Sequence, residues 1–143
     1  MTSAPGAIYR RSHDNQLASA AVGIVASDLA RSLDFYRLLG LSIPETETPH
    51  VEIELPGGNR LLLDTEETIA SFHAGWRSPA SPGRVTLAFG LGAPAEVDDL
   101  FSRLTAAGHP EVVKPFDAPW GQRYATVADP DGISIDLYAP QPS

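Results

Sequence analysis

The sequence contains no cysteine among its 143 residues, and this absence excludes several kinds of chemistry. Without thiols, the chain cannot form disulfides, hold zinc or an iron–sulfur cluster through thiolates, or use a cysteine nucleophile. It also lacks any apolar run close to the roughly 20 residues that a membrane-spanning helix requires. The first 16 residues carry arginines with no apolar stretch behind them, unlike a secretory signal. We therefore expect a cytoplasmic protein with no membrane partner.

Basic residues are scarce. Ten lysines and arginines stand against eighteen aspartates and glutamates, which gives a net charge of −8. Because nucleic-acid binding depends on clustered cations that neutralise phosphates, this balance predicts no nucleic-acid partner. Apolar residues make up 43% of the chain and charged residues 20%, as in ordinary globular proteins. The length suits one compact domain, or two small modules that share a core.

The periodicity of apolar residues repeats one order of elements in the two halves of the chain. In the first half, a helix begins after Ser27-Asp28 and ends at Gly40, and in the second half a helix begins at Pro94 and ends at Gly108. The strands predicted around these helices are 20–26, 41–43, 51–55 and 60–65, then 84–91, 111–116, 122–128 and 133–138. This pattern predicts an α+β fold of two βαβββ modules.

The modules occupy residues 17–65 and 84–143, behind a polar arm over residues 1–16. One helix covers only one face of a four-stranded sheet, so the other face must be buried against a second module or must curve around a ligand. Between the modules, residues 66–83 show no sustained period and are predicted to form a connector or lid, with one short helical turn near 68–72.

Two segments carry a family resemblance. SDLARSLDFYRLLGL, which begins at Ser27, and RYATVADPDGISIDLYAP, which begins at Arg123, resemble the vicinal oxygen chelate superfamily. That superfamily includes glyoxalase I, extradiol dioxygenases, fosfomycin-modifying enzymes and bleomycin-binding resistance proteins. The resemblance covers residues 19–140 and implies two curved sheets around a U-shaped cleft.

The resemblance also implies where a metal would bind. The metal-ligand positions of the superfamily fall on Ala21, Leu62, Thr86 and Asp136, of which Asp136 alone offers a charged oxygen. A catalytic metal usually has three protein ligands, drawn from histidine and carboxylate side chains. We therefore expect no metal and no cofactor, and glyoxalase-type or dioxygenase-type chemistry is disfavoured.

The branch of the superfamily that this chain most resembles is the drug-binding one, above all the mitomycin-binding resistance proteins. The segments that carry this likeness are RLLLDTEE from Arg60 and KPFDAPWGQRYATVADPDG from Lys114. The likeness implies a homodimer whose clefts hold a planar or conjugated small molecule, an antibiotic or a metabolite, and confer resistance by sequestering it unchanged. Aromatic side chains suit this task because their rigid apolar faces can stack on a planar ligand.

The candidate ligand-binding residues are five aromatic and six other side chains: Trp120, Trp76, Phe116, Phe72, Tyr124, Asp136, Asp64, Leu62, Arg123, Asp117 and His73. Strand alternation supports Asp136, because its neighbours Ile135 and Leu137 would pack on the helix. Trp120 could instead form a dimer contact, and Phe116 or Tyr124 could point toward the helix. Alternative partners also remain open for the charged candidates: Asp129 or Asp131 for Arg123, and Arg60 for Asp64.

A different class of function remains possible. A metal-free enzyme of the same fold could use Asp136, His73 or Tyr124 as its acid–base group, because a lid that buries a carboxylate raises its pKa. A metal-dependent lyase with unexpected ligands is the less favoured version. The other histidines, His13, His50 and His109, are interpreted as exposed loop residues.

Overall fold

The computed structural model describes residues 19–79 and 84–142. The arm predicted over residues 1–16 and the end of the connector lie outside these residues. The first half contains β1 (Ala21–Ala26), α1 (Leu29–Leu39), β2 (His50–Glu54), β3 (Arg60–Thr65) and the short α2 (Glu66–Ala70). The second half contains β4 (Thr86–Gly90), α3 (Pro94–Ala106), β5 (Glu111–Ala118), β6 (Gln122–Ala128) and β7 (Ser134–Pro140).

The first sheet has three strands in the order β1-β3-β2. β3 pairs in parallel with β1 and antiparallel with β2. Side chains alternate along the strands, so that Leu61 and Leu63 are fully buried while Leu62 lies on the other face. Val51 and Ile53 of β2 continue the buried face.

The prediction of a strand at residues 41–43 is wrong, because this segment forms no ladder. The guanidinium of Arg37 donates to the backbone oxygens of Ile43 at 3.1 Å and Pro44 at 2.8 Å. Those bonds occupy acceptors that a strand would offer to its neighbour, and Pro44 has no N–H to donate. The first module is therefore β-α-β-β. The helical turn predicted near 68–72 forms slightly earlier, as α2, and Thr65 caps it.

The second sheet has four strands in the order β4-β7-β6-β5. β7 is central, parallel to β4 and antiparallel to β6. Its odd-numbered residues Ile135, Leu137 and Ala139 are fully buried against the helices, and its even-numbered residues face the opposite side. We call the sides of the two sheets that face away from this buried core the open faces. The two-sheet α+β architecture confirms the predicted fold class.

The helices begin and end where their sequence signals predict. The carboxylate of Asp28 accepts from the backbone nitrogen of Arg31 at 3.2 Å, and Gly40 ends α1 with a φ of 124°, a conformation that glycine adopts without strain. Pro94 is the first residue of α3. Phe35 and Tyr36 of α1 are completely buried in the core. No helix in the described ranges is long and apolar enough to cross a bilayer.

One hydrophobic core joins the two halves of the chain. It includes Leu33 and Leu61 from the first half and Leu104 and Leu137 from the second. A buried polar contact crosses the same boundary, because the Tyr36 hydroxyl donates to Asp129 Oδ2 at 2.8 Å. Burial and the neighbouring Asp129 carboxylate raise the pKa of Tyr36 far above its ordinary value. The two modules are thus parts of one structural unit.

Candidate functional site

The open face of the second sheet collects the polar and aromatic candidates. Register pairs Tyr124 with Tyr138 and Thr126 with Asp136 across the β6–β7 ladder. On the other side of β6, Phe116 of β5 pairs with Tyr124. Because cross-strand partners share a face, these side chains lie together on the side away from α3. The alternative in which Phe116 or Tyr124 points toward the helix is therefore wrong.

Three aromatic rings form a cluster at one end of this face. The centroid of the Trp120 ring is 5.4 Å from that of Tyr124 and 6.2 Å from that of Phe116, and both pairs are edge-to-face. Phe116 and Tyr124 also meet, at 6.2 Å. We call Phe116, Trp120 and Tyr124 the aromatic cluster. Edge-to-face packing of this kind stabilises the arrangement of the rings as well as burying apolar area.

The turn between β5 and β6 holds Trp120 in place. Gly121 adopts a φ of 93°, and its backbone nitrogen donates to the oxygen of Ala118 at 3.0 Å. The Trp120 indole N–H donates to Gln122 Oε1 at 2.9 Å. Even so, 59% of the Trp120 surface is exposed. The sheet therefore presents a fixed but uncovered indole ring, which is what a stacking surface requires.

Asp136 lies beside the aromatic cluster with both carboxylate oxygens engaged. The Tyr124 hydroxyl donates to Oδ2, and the Thr126 hydroxyl donates to Oδ1 at 2.8 Å. The hydrogen bond to Asp136 raises the pKa of Tyr124 to about 12, with desolvation adding to the shift. A phenol in this state holds its proton at neutral pH, and it directs that proton at Asp136. Tyr124 is therefore poorly suited to act as an acid–base group.

The residues at the superfamily's metal positions do not fit a metal. Ala21 and Leu62 have no donor atom, so the four positions offer only the oxygens of Thr86 and Asp136, fewer than the three protein ligands of a usual catalytic site. Within residues 19–79 and 84–142, no group of three histidine, cysteine, aspartate or glutamate side chains could hold a metal ion. The chemistry available on this face is that of rings and hydroxyls.

The open face of the first sheet carries a run of charged side chains, joined through His50 at the start of β2. His50 Nδ1 lies 2.5 Å from Asp64 Oδ1, and His50 Nε2 lies 3.1 Å from Glu52 Oε2. Arg60 Nη1 in turn donates to Glu52 Oε1 at 2.5 Å. We call Asp64, His50, Glu52 and Arg60 the charged row. The alternative pairing of Asp64 with Arg60 is wrong, because His50 is the partner of Asp64.

Sequence reasoning missed His50 because it began the strand at residue 51. His50 is the first residue of β2, directly opposite Asp64 in the ladder. The alternation of side chains along β2 could have located it, since His50 falls on the same face as Glu52 and on the face opposite the buried Val51. Extending the strand by one residue would have placed His50 on the open face.

The pKa values of two histidines are expected to shift in opposite directions from the ordinary value of about 6.5. Hydrogen bonds that the ring donates to the carboxylates of Asp64 and then Glu52 raise the pKa of His50, whereas burial lowers the pKa of His109, whose ring packs edge-to-face on Phe35. An NMR titration of the ring protons should place the His50 midpoint above that value and the His109 midpoint below it. Asp64→Asn should lower the His50 midpoint and leave that of His109 unchanged. A His50 midpoint at or below the ordinary value would contradict the charged row.

The same pKa shift has a consequence for stability. Because the pKa of His50 is raised in the folded state, its ion pairs contribute fully below about pH 6.5, the unfolded value, and this contribution is lost as the pH rises through the folded value. The effect is small, since the side chains of His50 and Glu52 are both more than one-third exposed and solvent screens their ion pair.

Arg123 and Asp117 lie on the other side of the second sheet. Arg123 donates to Asp98 of α3 at 2.9 and 3.1 Å and to Asp117 at 2.9 Å. Gln141 also donates to Asp117. The alternative pairing of Arg123 with Asp129 or Asp131 is therefore wrong. These ion pairs tie the β5–β6 hairpin to α3, away from the aromatic cluster.

None of the three connector candidates, Phe72, His73 and Trp76, belongs to the aromatic cluster. Phe72 is 73% exposed, and the backbone of His73 takes part in the turn after α2, accepting from the nitrogen of Trp76 at 3.1 Å. Trp76 is half-buried and lines a cavity between the two modules. Leu62 and Asp64 remain on the open face of the first sheet. Of the eleven candidates, the structure thus brings together Trp120, Phe116, Tyr124 and Asp136.

Comparisons with known proteins agree on the family and the fold. A family model described as the glyoxalase/bleomycin resistance protein/dioxygenase superfamily matches residues 18–137. A search of curated proteins finds no match.

Solved structures with the same fold include enzymes. A glyoxalase-related enzyme from Fulvimarina pelagi is 25% identical with a TM-score of 0.74, over 87% of this chain and 88% of that one. A glyoxalase/bleomycin resistance protein/dioxygenase from Nocardioides is 26% identical with a TM-score of 0.67, and the match covers 91% of this chain and 89% of that one. Lactoylglutathione lyase from Agrobacterium tumefaciens is 23% identical with a TM-score of 0.63, over 87% and 96%, which is a likeness of fold alone.

Proposed function

The chain belongs to the glyoxalase/bleomycin resistance protein/dioxygenase superfamily, and on that premise we propose that it binds a planar or conjugated small molecule on the aromatic cluster and releases it chemically unchanged. The observation that carries this proposal is the exposed indole of Trp120, fixed by Gln122 and by edge contacts with two further rings. A rigid, uncovered ring can stack on a flat ligand with little loss of side-chain freedom.

The surroundings of the ring favour binding over reaction. The carboxylate nearest to the cluster, Asp136, accepts two internal hydrogen bonds, and the Tyr124 proton is committed to it. The family's metal positions offer no ligand set. A bound molecule would therefore meet apolar ring surface and satisfied polar groups. Sequestration of an antibiotic or a conjugated metabolite is the function that this chemistry serves best.

We further propose that the binding protein is a homodimer in which a second copy covers the open faces. Two features support this assembly: the aromatic cluster and the charged row both lie on faces that the helices of residues 19–79 and 84–142 leave uncovered, and 59% of the Trp120 surface is exposed. Sedimentation at micromolar protein concentration tests it. A monomer at that concentration would contradict the shared cleft.

The binding proposal is tested with acridone, a neutral, planar and fluorescent tricycle. Its fluorescence polarisation should rise on titration with the protein, and chromatography should recover it unchanged. Trp120→Ala should weaken the affinity about tenfold or more, because the main stacking surface is removed, and tenfold corresponds to about 1.4 kcal/mol.

Phe72→Ala is the matched control, since it also removes one exposed aromatic ring but lies in the connector. It should bind acridone as the unaltered protein does. Failure of the unaltered protein to bind acridone would count against a planar ligand, and equal affinity of the Trp120→Ala variant would count against this site.

One observation favours a second candidate function, metal-free acid–base catalysis at the charged row. His50 contacts Asp64 through Nδ1, the arrangement by which a carboxylate orients a histidine in many acid–base sites. Its other ring nitrogen is held by Glu52, so a substrate would have to displace that carboxylate. If the protein with His50 converts a ligand into a product and the His50→Gln variant returns the same ligand intact, the result would favour this function over sequestration.

A further inference from the structure

A cavity of about 550 Å³ lies between the two modules, apart from the aromatic cluster. Its walls include β1 residues Val22–Val25, the turn and strand start Asp131–Ser134, and Trp76 of the connector. The cavity meets β7 at Ser134, whereas the aromatic cluster lies beside Tyr138. Four residues of strand separate these two points by about 13 Å. We call this cavity the junction pocket.

The lining of the junction pocket combines apolar walls with a few charged groups. Leu87 and Ile133 add aliphatic surface to that of β1, and Trp76 contributes an indole ring. Among the described residues, two carboxylates, those of Glu66 and Asp131, line the pocket together with one guanidinium, that of Arg84. An apolar cavity with a small number of polar groups and a volume of roughly 300–1,000 Å³ is typical of small-molecule sites.

We propose that the junction pocket is a second binding site and that it takes a small organic cation with an apolar body. The carboxylates outnumber the guanidinium, so the lining carries a negative balance. The face of an indole ring attracts cations as well as apolar groups. The aliphatic walls would cover the body of such a ligand. This site stands independently of the aromatic cluster, and either one can fail alone.

The chain's two tryptophans make the sites separately observable. Trp120→Phe leaves Trp76 as the sole tryptophan and reports the junction pocket, and Trp76→Phe leaves Trp120 and reports the aromatic cluster. The probes share one body and differ in charge at neutral pH: 3-phenylpropylamine is a cation, 3-phenylpropan-1-ol is neutral and 3-phenylpropanoate is an anion.

In the Trp120→Phe variant, the amine should change Trp76 fluorescence at concentrations about fivefold lower than the alcohol requires, and the carboxylate should bind most weakly. The Trp76→Phe variant should show no matching change from Trp120. Absence of any response of Trp76 to all three probes would overturn the site. Equal affinity for the amine and the alcohol would overturn the cation class.

A pair of neighbouring carboxylates tests the source of the preference. Glu66 lines the pocket, whereas Glu67 is an exposed residue of the same helix that does not. In the Trp120→Phe background, Glu66→Gln should reduce the preference for the amine over the alcohol by about threefold, and Glu67→Gln should leave it unchanged. Equal losses in both variants would show that overall charge, rather than this pocket, selects the cation.

Discussion

Asp129→Ala is expected to destabilise the protein by about 4 kcal/mol, a large part of the stability of a domain of this size. The carboxylate is 1% exposed and serves three donors. Oδ2 accepts from the Tyr36 hydroxyl at 2.8 Å, and Oδ1 accepts from the backbone nitrogens of Asp131 and Ile133, both at 2.9 Å. Alanine would leave a buried hydroxyl and two turn N–H groups without this acceptor, and each unsatisfied group costs about 1–3 kcal/mol.

Urea denaturation followed by fluorescence measures this loss as a lower midpoint at an unchanged slope. Asp131→Ala is the control in the same turn: its carboxylate accepts from the Ser27 nitrogen at 3.2 Å in a partly exposed position, so we expect less than about 1 kcal/mol. The loss of stability in Asp129→Asn should lie between those of the two alanine variants, because the amide oxygen of asparagine can still accept from the turn N–H groups. A loss for Asp129→Ala no larger than that of Asp131→Ala would contradict the buried link.

Leu61→Ala and Leu62→Ala are expected to differ sharply although they are neighbours in β3. Leu61 is completely buried in the core, so its truncation should cost about 3 kcal/mol through lost burial and the cavity left behind. Leu62 lies on the open face, where truncation should cost less than about 1 kcal/mol at protein concentrations too low for the proposed dimer to form. The difference tests which face of the first sheet packs on the core.

Equal losses in the two leucine variants would mean that the alternation of β3 is assigned to the wrong faces, or that a partner covers Leu62. Repeating the unfolding measurement across a range of protein concentrations separates these causes, because a dimer's stability rises with its concentration.

Alternation along β7 was readable from the sequence because a strand has a fixed period of two. Ile135 and Leu137 can share a face only if Asp136 takes the other, and the structure confirms this placement. The helix boundaries were equally local, since Asp28 and Pro94 act within one turn of their own helices. Features that depend on a residue and its near neighbours could therefore be predicted.

Features that depend on pairing between distant parts of the chain could not be predicted from the sequence. Arg123 finds Asp98, which lies 25 positions away on a different element, in preference to the acidic residues that follow it in the sequence. His50 finds Asp64 only because β2 and β3 pair in one particular register. The segment 41–43 has the apolar content of a strand, but the Arg37 side chain donates to the carbonyl of Ile43 at its end. Charge and hydropathy patterns do not encode these choices.

The two hydrogen bonds to Asp136 bear on how this chain could be re-engineered. Placing histidines at positions 21, 62 and 86 would supply the missing donors, and each oxygen of Asp136 would keep a lone pair for an ion beside its bond to the hydroxyl of Tyr124 or Thr126. Those hydroxyls would then become the outer hydrogen-bonding partners of a ligating carboxylate. Because one of them belongs to the aromatic cluster, an engineered ion and the stacking surface would share the same few side chains.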